Sequence, residues 1–342
     1  KEKVGTSVVN YAGTYPGAVD GELWYDSTNK NFNYQYENVT AAGSWASGGT
    51  LGTGRRGMAG AGISSSSALG FGGDIQGGSP SALTESYNGV SWTEVNDLNQ
   101  ARTRLGGDGT QTSALAFGGL EPTVSAKTEK WNGTNWTEVN DLGTARRCAG
   151  AGADNTSALA FGGFTPPGTY HALTEEWNGT NWTEVADMNT ARYGLQGFGI
   201  KNSAIGCGGQ SPAGYFELTE SWNGSNWTEV NDISFERSFG GTAGSDNTSG
   251  LIFGGYDDSP TDLRTNKVEL WNGTNWSEQA DLSGPAFLGM AGAGTATSAI
   301  AFGGEGPSNA MRTATETWTG AGAPIGAWST GGNLNTARTN IA

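Results

Sequence analysis

Three recurrences along the 342 residues predict an all-β protein, a β-propeller of four-stranded blades. The tripeptide Phe-Gly-Gly returns at Phe71, Phe117, Phe161, Phe253 and Phe302. Cys207 stands in the phenylalanine place of a further copy, and the spacings are 46, 44, 46, 46 and 49 residues. A Glu-x-aromatic-Asn-Gly marker recurs at Glu85, Glu129, Glu175, Glu220 and Glu269, with a weaker echo at Glu316. Behind each of the first five comes a tryptophan: Trp92, Trp136, Trp182, Trp227 and Trp276. A period of this length marks one supersecondary unit that buries its apolar face only against its neighbours.

One unit supplies the elements in order. "CAGAGAD" (148–154) is small and rich in Gly and Ala, which suits an innermost strand where blades crowd around a channel. "SALAFGG" (157–163) alternates and ends in a glycine pair; "ALTEEWNG" (172–179) alternates again; "NWTEVADM" (181–188) alternates a third time. Period-two runs split by Gly-Gly and Asn-Gly read as strands, and no segment carries a helical period. Asn-Gly tolerates the positive φ of a tight turn, so "WNGTNW" joins the third strand to the fourth. Tryptophan belongs on these outer strands, where blades fan apart and large rings fill the gap.

Inner strand pairs begin near Gly57, Thr103, Arg147, Tyr193, Ser238 and Phe287, six in number, whereas outer pairs number seven. The extra one, "NFNYQYENVTAAGSWASGGTL" (31–51), echoes "ATETWTGAGAPIGAWSTGGNL" (314–334). The expectation is therefore seven blades, the N-terminal pair joining the C-terminal "NTARTNIA" in a composite closing blade that removes exposed edges. Six blades plus an extra hairpin is the alternative. Residues 1–30 read as a connector segment and 31–342 as the propeller, with its last blade incomplete. The chain begins at Lys1 rather than Met, so a piece of a longer product is expected, and no signal peptide is evident.

Gly-Gly after the second strand, an aromatic residue on the third, Trp on the fourth and Arg opening the next unit together resemble the kelch repeat over roughly residues 40–342. The turn between third and fourth strands is shorter than the usual kelch turn. The resemblance implies fold, and hardly any function. Ahead of the repeat, Gly21-Glu22-Leu23-Trp24-Tyr25-Asp26 within "YPGAVDGELWYDSTNKNFNYQY" resembles a segment of bacteriophage tail-fibre and related virion proteins. "GSWASGGTL" and "GAWSTGGNLNTAR" resemble Trp/Gly-rich propeller repeats of tail-associated phage proteins. That likeness implies a virion-surface, extracellular location, with other virion proteins or copies of the chain as partners.

Composition narrows the chemistry. A net charge of -15 with 15% charged residues disfavours nucleic acid, which is bound through a basic face. No apolar run reaches the length of a membrane span, so no membrane insertion is expected. Cys148 and Cys207 fall at different phases of the repeat and read as small buried hydrophobes. Some kelch propellers are copper-radical oxidases needing two histidines and two tyrosines, but this chain has a single histidine, His171. A zinc site lacks ligands for the same reason. A Ser-His-Asp triad would have to use His171, and no G-x-S-x-G turn accompanies it. The expectation is no catalysis, no metal and no cofactor, with paired carboxylates for glycoside hydrolysis the weakest alternative. Asn-x-Ser/Thr recurs, mostly as a by-product of the "NGTNW" turn.

Two sets of residues stand out. Arg56, Arg102, Arg146, Arg192 and Arg237, with Arg338 near the end and no counterpart by Pro285, and the recurring Glu129, Glu175, Glu220 and Glu269 are expected to form a structural ladder of Arg–Glu or Arg–backbone contacts between blades, a ring of ligand-binding charges being the alternative. The loops after each Gly-Gly vary while the frame stays constant, which is where binding on a rigid scaffold resides. Their candidate ligand-binding residues are Tyr170, His171, Tyr215, Phe216, Tyr256, Asp257 and Asp258, the aromatics suited to stacking on sugar rings. His171, in "TPPGTYHAL", is expected to lie in a surface loop. The functional expectation is a non-catalytic tail-fibre module that recognises a host-surface glycan or protein through loops on one face. A structural subunit of a secreted adhesin or filament is the alternative, and a polysaccharide-acting enzyme the weaker one.

Overall fold

The computed structural model describes residues 9–11, 22–28, 30–35, 43–257, 264–284 and 288–320. They fall into two units, one of residues 1–41 with 321–342 and one of 42–320. In the first, Val9–Tyr11 pairs parallel to Glu22–Asp26, which pairs antiparallel with Asn31–Gln35. The second unit is a β-propeller of six four-stranded antiparallel blades. The third blade shows the order from channel to rim: Arg147–Asp154, Ser157–Thr165, Thr169–Trp177, Trp182–Glu184. Among the described residues no helix is long and apolar enough to cross a membrane.

Among the described residues the blades number six, not the expected seven. In the sixth blade, Ala291–Thr295, Ser298–Phe302 and Thr315–Thr319 take their fourth strand from the N-terminal side: Ser44–Ser47 pairs with the third strand, setting Trp45 opposite Trp318. That register reproduces the Trp131–Trp136 pairing of the second blade. The Asn31–Gln35 part of the supposed extra pair belongs to the other unit. The physical reason is that blade six already meets blade one through the ordinary joint. Phe302 packs where a Cβ on Gly60 or Gly70 would stand, and Gly304 N–H donates to the Arg55 carbonyl at 2.7 Å. No gap remains for another blade. The rest of the echoing segment, residues 321–334, and the closing "NTARTNIA" lie outside the described residues.

Each joint is a ring seated on a glycine. Phe71, Phe117, Phe161, Phe253 and Phe302 lean across to the next blade's inner strand at Gly107, Gly150, Gly197, Gly292 and Gly60, where an added Cβ would meet the ring at 2.4–3.1 Å. The exception explains itself. Blade four has Cys207 for Phe, and blade five correspondingly carries Thr242 for Gly, its hydroxyl donating to the Gly197 carbonyl at 2.8 Å. The lost ring is supplied from the inner strand by Phe198, where other blades have Ala or Asp; it meets Trp276 edge-on at 6.3 Å. Gly250 replaces the Ala of other blades because a Cβ there would lie 2.3 Å from Phe198.

The outer strands are held by indoles. Trp131, Trp177, Trp222, Trp271 and Trp318 are buried, and each donates its Nε1–H to a carbonyl of its blade's first hairpin at 2.8–3.1 Å. The fourth-strand tryptophans Trp92, Trp136, Trp182, Trp227 and Trp276 reach back to the third-strand threonine of the preceding blade: Thr315, Thr84, Thr128, Thr174 and Thr219. In blade five that position is Val268, and the buried Trp45 Nε1 of blade six has no partner among the described residues. Val268→Thr is therefore expected to raise stability by about 0.5–1.5 kcal/mol, measured as a higher urea midpoint with unchanged m. Cys207→Phe overfills the fourth joint and is expected to cost about 1–3 kcal/mol. Adding Phe198→Ala with Thr242→Gly should recover most of that loss in the same titration.

Candidate functional site

The buried arginines fix where each blade's connections leave the channel. Arg55, Arg102, Arg146, Arg192 and Arg237 are fully buried. Their guanidiniums pair with Glu85, Glu129, Glu175, Glu220 and Glu269 of the same blade, at 2.8 Å for Arg55 and 2.7 Å for Arg237. Arg55, Arg102 and Arg237 also donate to the carbonyl of the first glycine of their own Gly-Gly pair. The other carboxylate oxygen accepts the N–H of Gly52, Asn99, Gly143, Asn189, Ser234 or, for Glu316, Ser283, on the connection from the preceding blade. Burial pulls the Arg55, Arg102 and Arg237 guanidiniums below their usual range, and the facing carboxylates pull them back. In blade one the ladder position is held by Arg55, not by the expected Arg56. The doublet of "TGRRGM" offers both, and the register of the Arg56–Asp74 bridge turns Arg56 outward to Glu305 and Asp74. Arg338 and the segment around Pro285 lie outside the described residues.

The connection carrying each arginine and the variable loop after each Gly-Gly emerge together, joined by the bridges Arg56–Asp74, Thr103–Leu120, Tyr193–Gln210, Ser238–Tyr256 and Leu288–Glu305. Around the channel mouth runs a chain of main-chain bonds. Phe239 N–H donates to Gly194 O, Gly289 to Phe239, Gly57 to Gly289 and Arg104 to Gly57, all at 2.7–2.8 Å. The bonds require left-handed backbone, and three positions are Gly57, Gly194 and Gly289 with φ of 60°, 69° and 65°. The other two are Arg104 at 53° and Phe239 at 57°. A side chain in this conformation costs about 1–2 kcal/mol.

Those two side chains border a cavity of about 300 Å³, with Arg56, Tyr193, Gln210, Tyr215, Tyr256 and Leu288 completing its wall. Among the described residues no acidic side chain lines it. Tyr193 meets Phe239 edge-on at 5.0 Å and stacks on Phe164 at 5.4 Å; Tyr215 and Tyr256 pack together at 5.6 Å. Beneath lies a collar of Met58, Leu105, Cys148, Leu195 and Met290, and then a channel of about 380 Å³ walled by the six inner strands.

No protein-family model matches this chain. Nor does any curated protein.

Of the loop candidates, Tyr215 and Tyr256 line the cavity. Tyr170 packs on Phe164, one ring removed from Tyr193. His171 is not in a surface loop: blade three extends its central hairpin, so His171 lies in the strand Thr169–Trp177, half-buried, its Nε2 2.9 Å from Thr165 Oγ1. Burial and then the Arg146 charge lower its pKa. Phe216 is half-buried with its N–H on the Gly209 carbonyl, and Asp257 follows Tyr256 without lining the cavity. Asp258 lies outside the described residues. Sequence reasoning missed Tyr193, Phe239, Arg104 and Arg147. All sit one or two places after the buried arginine, where the copies stop agreeing, and that divergence was the available signal.

The thiols are free, with burial pushing Cys148 up to about 11 and Cys207 to about 12, so neither is a nucleophile near neutral pH. Among the described residues no cluster of three His, Cys, Asp or Glu is placed to hold a metal ion. Among the described residues the channel wall carries one carboxyl, Asp108, at a position that is Ala in blades one, three, five and six. It accepts N–H bonds from Gly109 at 2.7 Å and Gly152 at 3.0 Å, yet desolvation dominates and pushes its pKa up to about 8. Folded protein holds that proton up to about pH 8, whereas an unfolded aspartate releases it near the model-compound value of 3.8. Across that window the folded state binds more protons, so this group lowers stability as pH rises. Asp108→Ala is expected to raise the melting temperature more at pH 9 than at pH 5. An equal shift at both pH values would contradict the assignment.

Proposed function

We propose that this propeller is a non-catalytic recognition module whose aromatic mouth binds a host-surface glycan, carried on the surface of a virion as part of a tail fibre. The reading rests chiefly on Arg104 and Phe239. At three equivalent positions the mouth uses glycine without strain, and at these two it holds a side chain in the left-handed region at the edge of the cavity. Strain of this kind persists where the surrounding structure and a function require it. The wall it completes, with Tyr193, Tyr215 and Tyr256, offers ring faces to a sugar and phenol groups to its hydroxyls. The virion placement is supported by the likeness of Gly21–Asp26 to phage tail-fibre segments, and the order of glycine, aromatic and arginine markers supports kinship with kelch propellers.

Two variants test the reading on a glycan array and on a panel of bacterial cells. Phe239→Gly is expected to leave stability within about 1 kcal/mol, because relief of left-handed strain offsets the lost ring contact. Tyr256→Ala opens the opposite wall. Both should abolish binding shown by the unaltered protein. Retained binding in both would remove this face from recognition, and no binding by the unaltered protein to any glycan or cell would overturn the proposal.

A further inference from the structure

We infer that the mouth selects an acidic sugar, one bearing a carboxylate or sulfate, and seats that anion on Arg104 and Arg147 beside Tyr193; the inference rests on the recognition role proposed above. The chain is strongly acidic, and most of its arginines are committed. Five are sealed against glutamates, and Arg56 and Arg264 both reach Glu305. Arg104 and Arg147 differ: among the described residues neither has a carboxylate within ion-pair distance. Instead both converge on one phenol, with Arg104 Nη1 3.5 Å and Arg147 Nη1 3.4 Å from Tyr193 Oη. The two nitrogens can be no farther apart than those distances together. A neutral phenol oxygen is a poor acceptor for two guanidiniums carrying five donors each. An oxyanion placed there would accept charge-assisted bonds from both.

Arg147 is also held in place. Its guanidinium lies over Phe164 and Tyr193 at 5.7 and 5.8 Å from the ring centroids, and its buried Nε has no partner among the described residues. A planar cation fixed on aromatic faces is organised before the ligand arrives. Arg104 is fixed differently, by its left-handed backbone and its N–H bond to Gly57. With no acid among the described residues of the cavity wall, the local field there favours an anion although the chain as a whole carries a net charge of -15. The cavity stands at the small end of ligand pockets, ~300–1,000 Å³, which suits roughly one or two sugar rings.

The test is an array of matched neutral, carboxylated and sulfated glycans, followed by titration calorimetry with the best of each. The unaltered protein should bind an acidic glycan and weaken as NaCl rises. Arg104→Gln keeps the left-handed residue and removes its charge; Arg147→Gln does the same on the other side. Each should reduce affinity for the acidic glycan about tenfold or more with an unchanged melting temperature. Preference for carboxylate or for sulfate identifies the anion. Equal binding of neutral and acidic glycans that is still lost in Phe239→Gly would overturn the anion inference and leave the recognition role standing. No binding to any glycan would overturn both.

Discussion

A guanidinium sealed between two blades is the constraint on which the other contacts depend. Its main-chain carbonyl accepts an N–H from the second glycine of the preceding blade, as Gly73 donates to Arg102 at 2.8 Å. Its side chain binds a carbonyl and a carboxylate of its own blade. That carboxylate in turn holds the backbone of the connection from the preceding blade. One residue thus fixes the position of two blades and the path between them. Enclosing such a charge is costly, and removing one partner from a buried pair costs about 3–5 kcal/mol because the other is left uncompensated. The Gly-Gly pair follows from the same arrangement: both residues need positive φ, and a Cβ on Gly72 would stand 2.8 Å from the Arg102 carbonyl.

The joints also account for departures from the repeat. Cys207, Thr242, Phe198 and Gly250 differ from their siblings together because they share one volume, and interiors are packed too tightly for any to change alone. Val268 has no such compensation and leaves the Trp45 indole without an acceptor. That defect falls where the N-terminal strand closes the ring.

Rigidity of the frame permits the mouth to vary. The connections around the channel share one hydrogen-bonded path, so replacing glycine by Arg104 or Phe239 changes the surface without moving the backbone. Arg104, Arg147 and a chain of packed rings then gather at the mouth of the propeller in an otherwise acidic chain. The channel below is poor in side-chain chemistry apart from Asp108.

The sequence alone determined the propeller, its strand order, the innermost place of the Gly/Ala strand and the recurrence of an arginine and a glutamate in four blades. These follow from local pattern: period-two alternation, turn residues and recurrence at fixed spacing. Two of the cavity residues, Tyr215 and Tyr256, were also legible because they lie in loops that visibly vary. Tertiary structure decided the rest. Whether six or seven blades close depends on the wedge angle set by Phe-on-Gly joints, which no single unit records. Which of Arg55 and Arg56 turns inward depends on the register of a bridge to Asp74. Tyr193, Arg104 and Arg147 are far apart in the chain, and each reads as one more deviation from a repeat. They come together only where the ring brings their blades to a common axis.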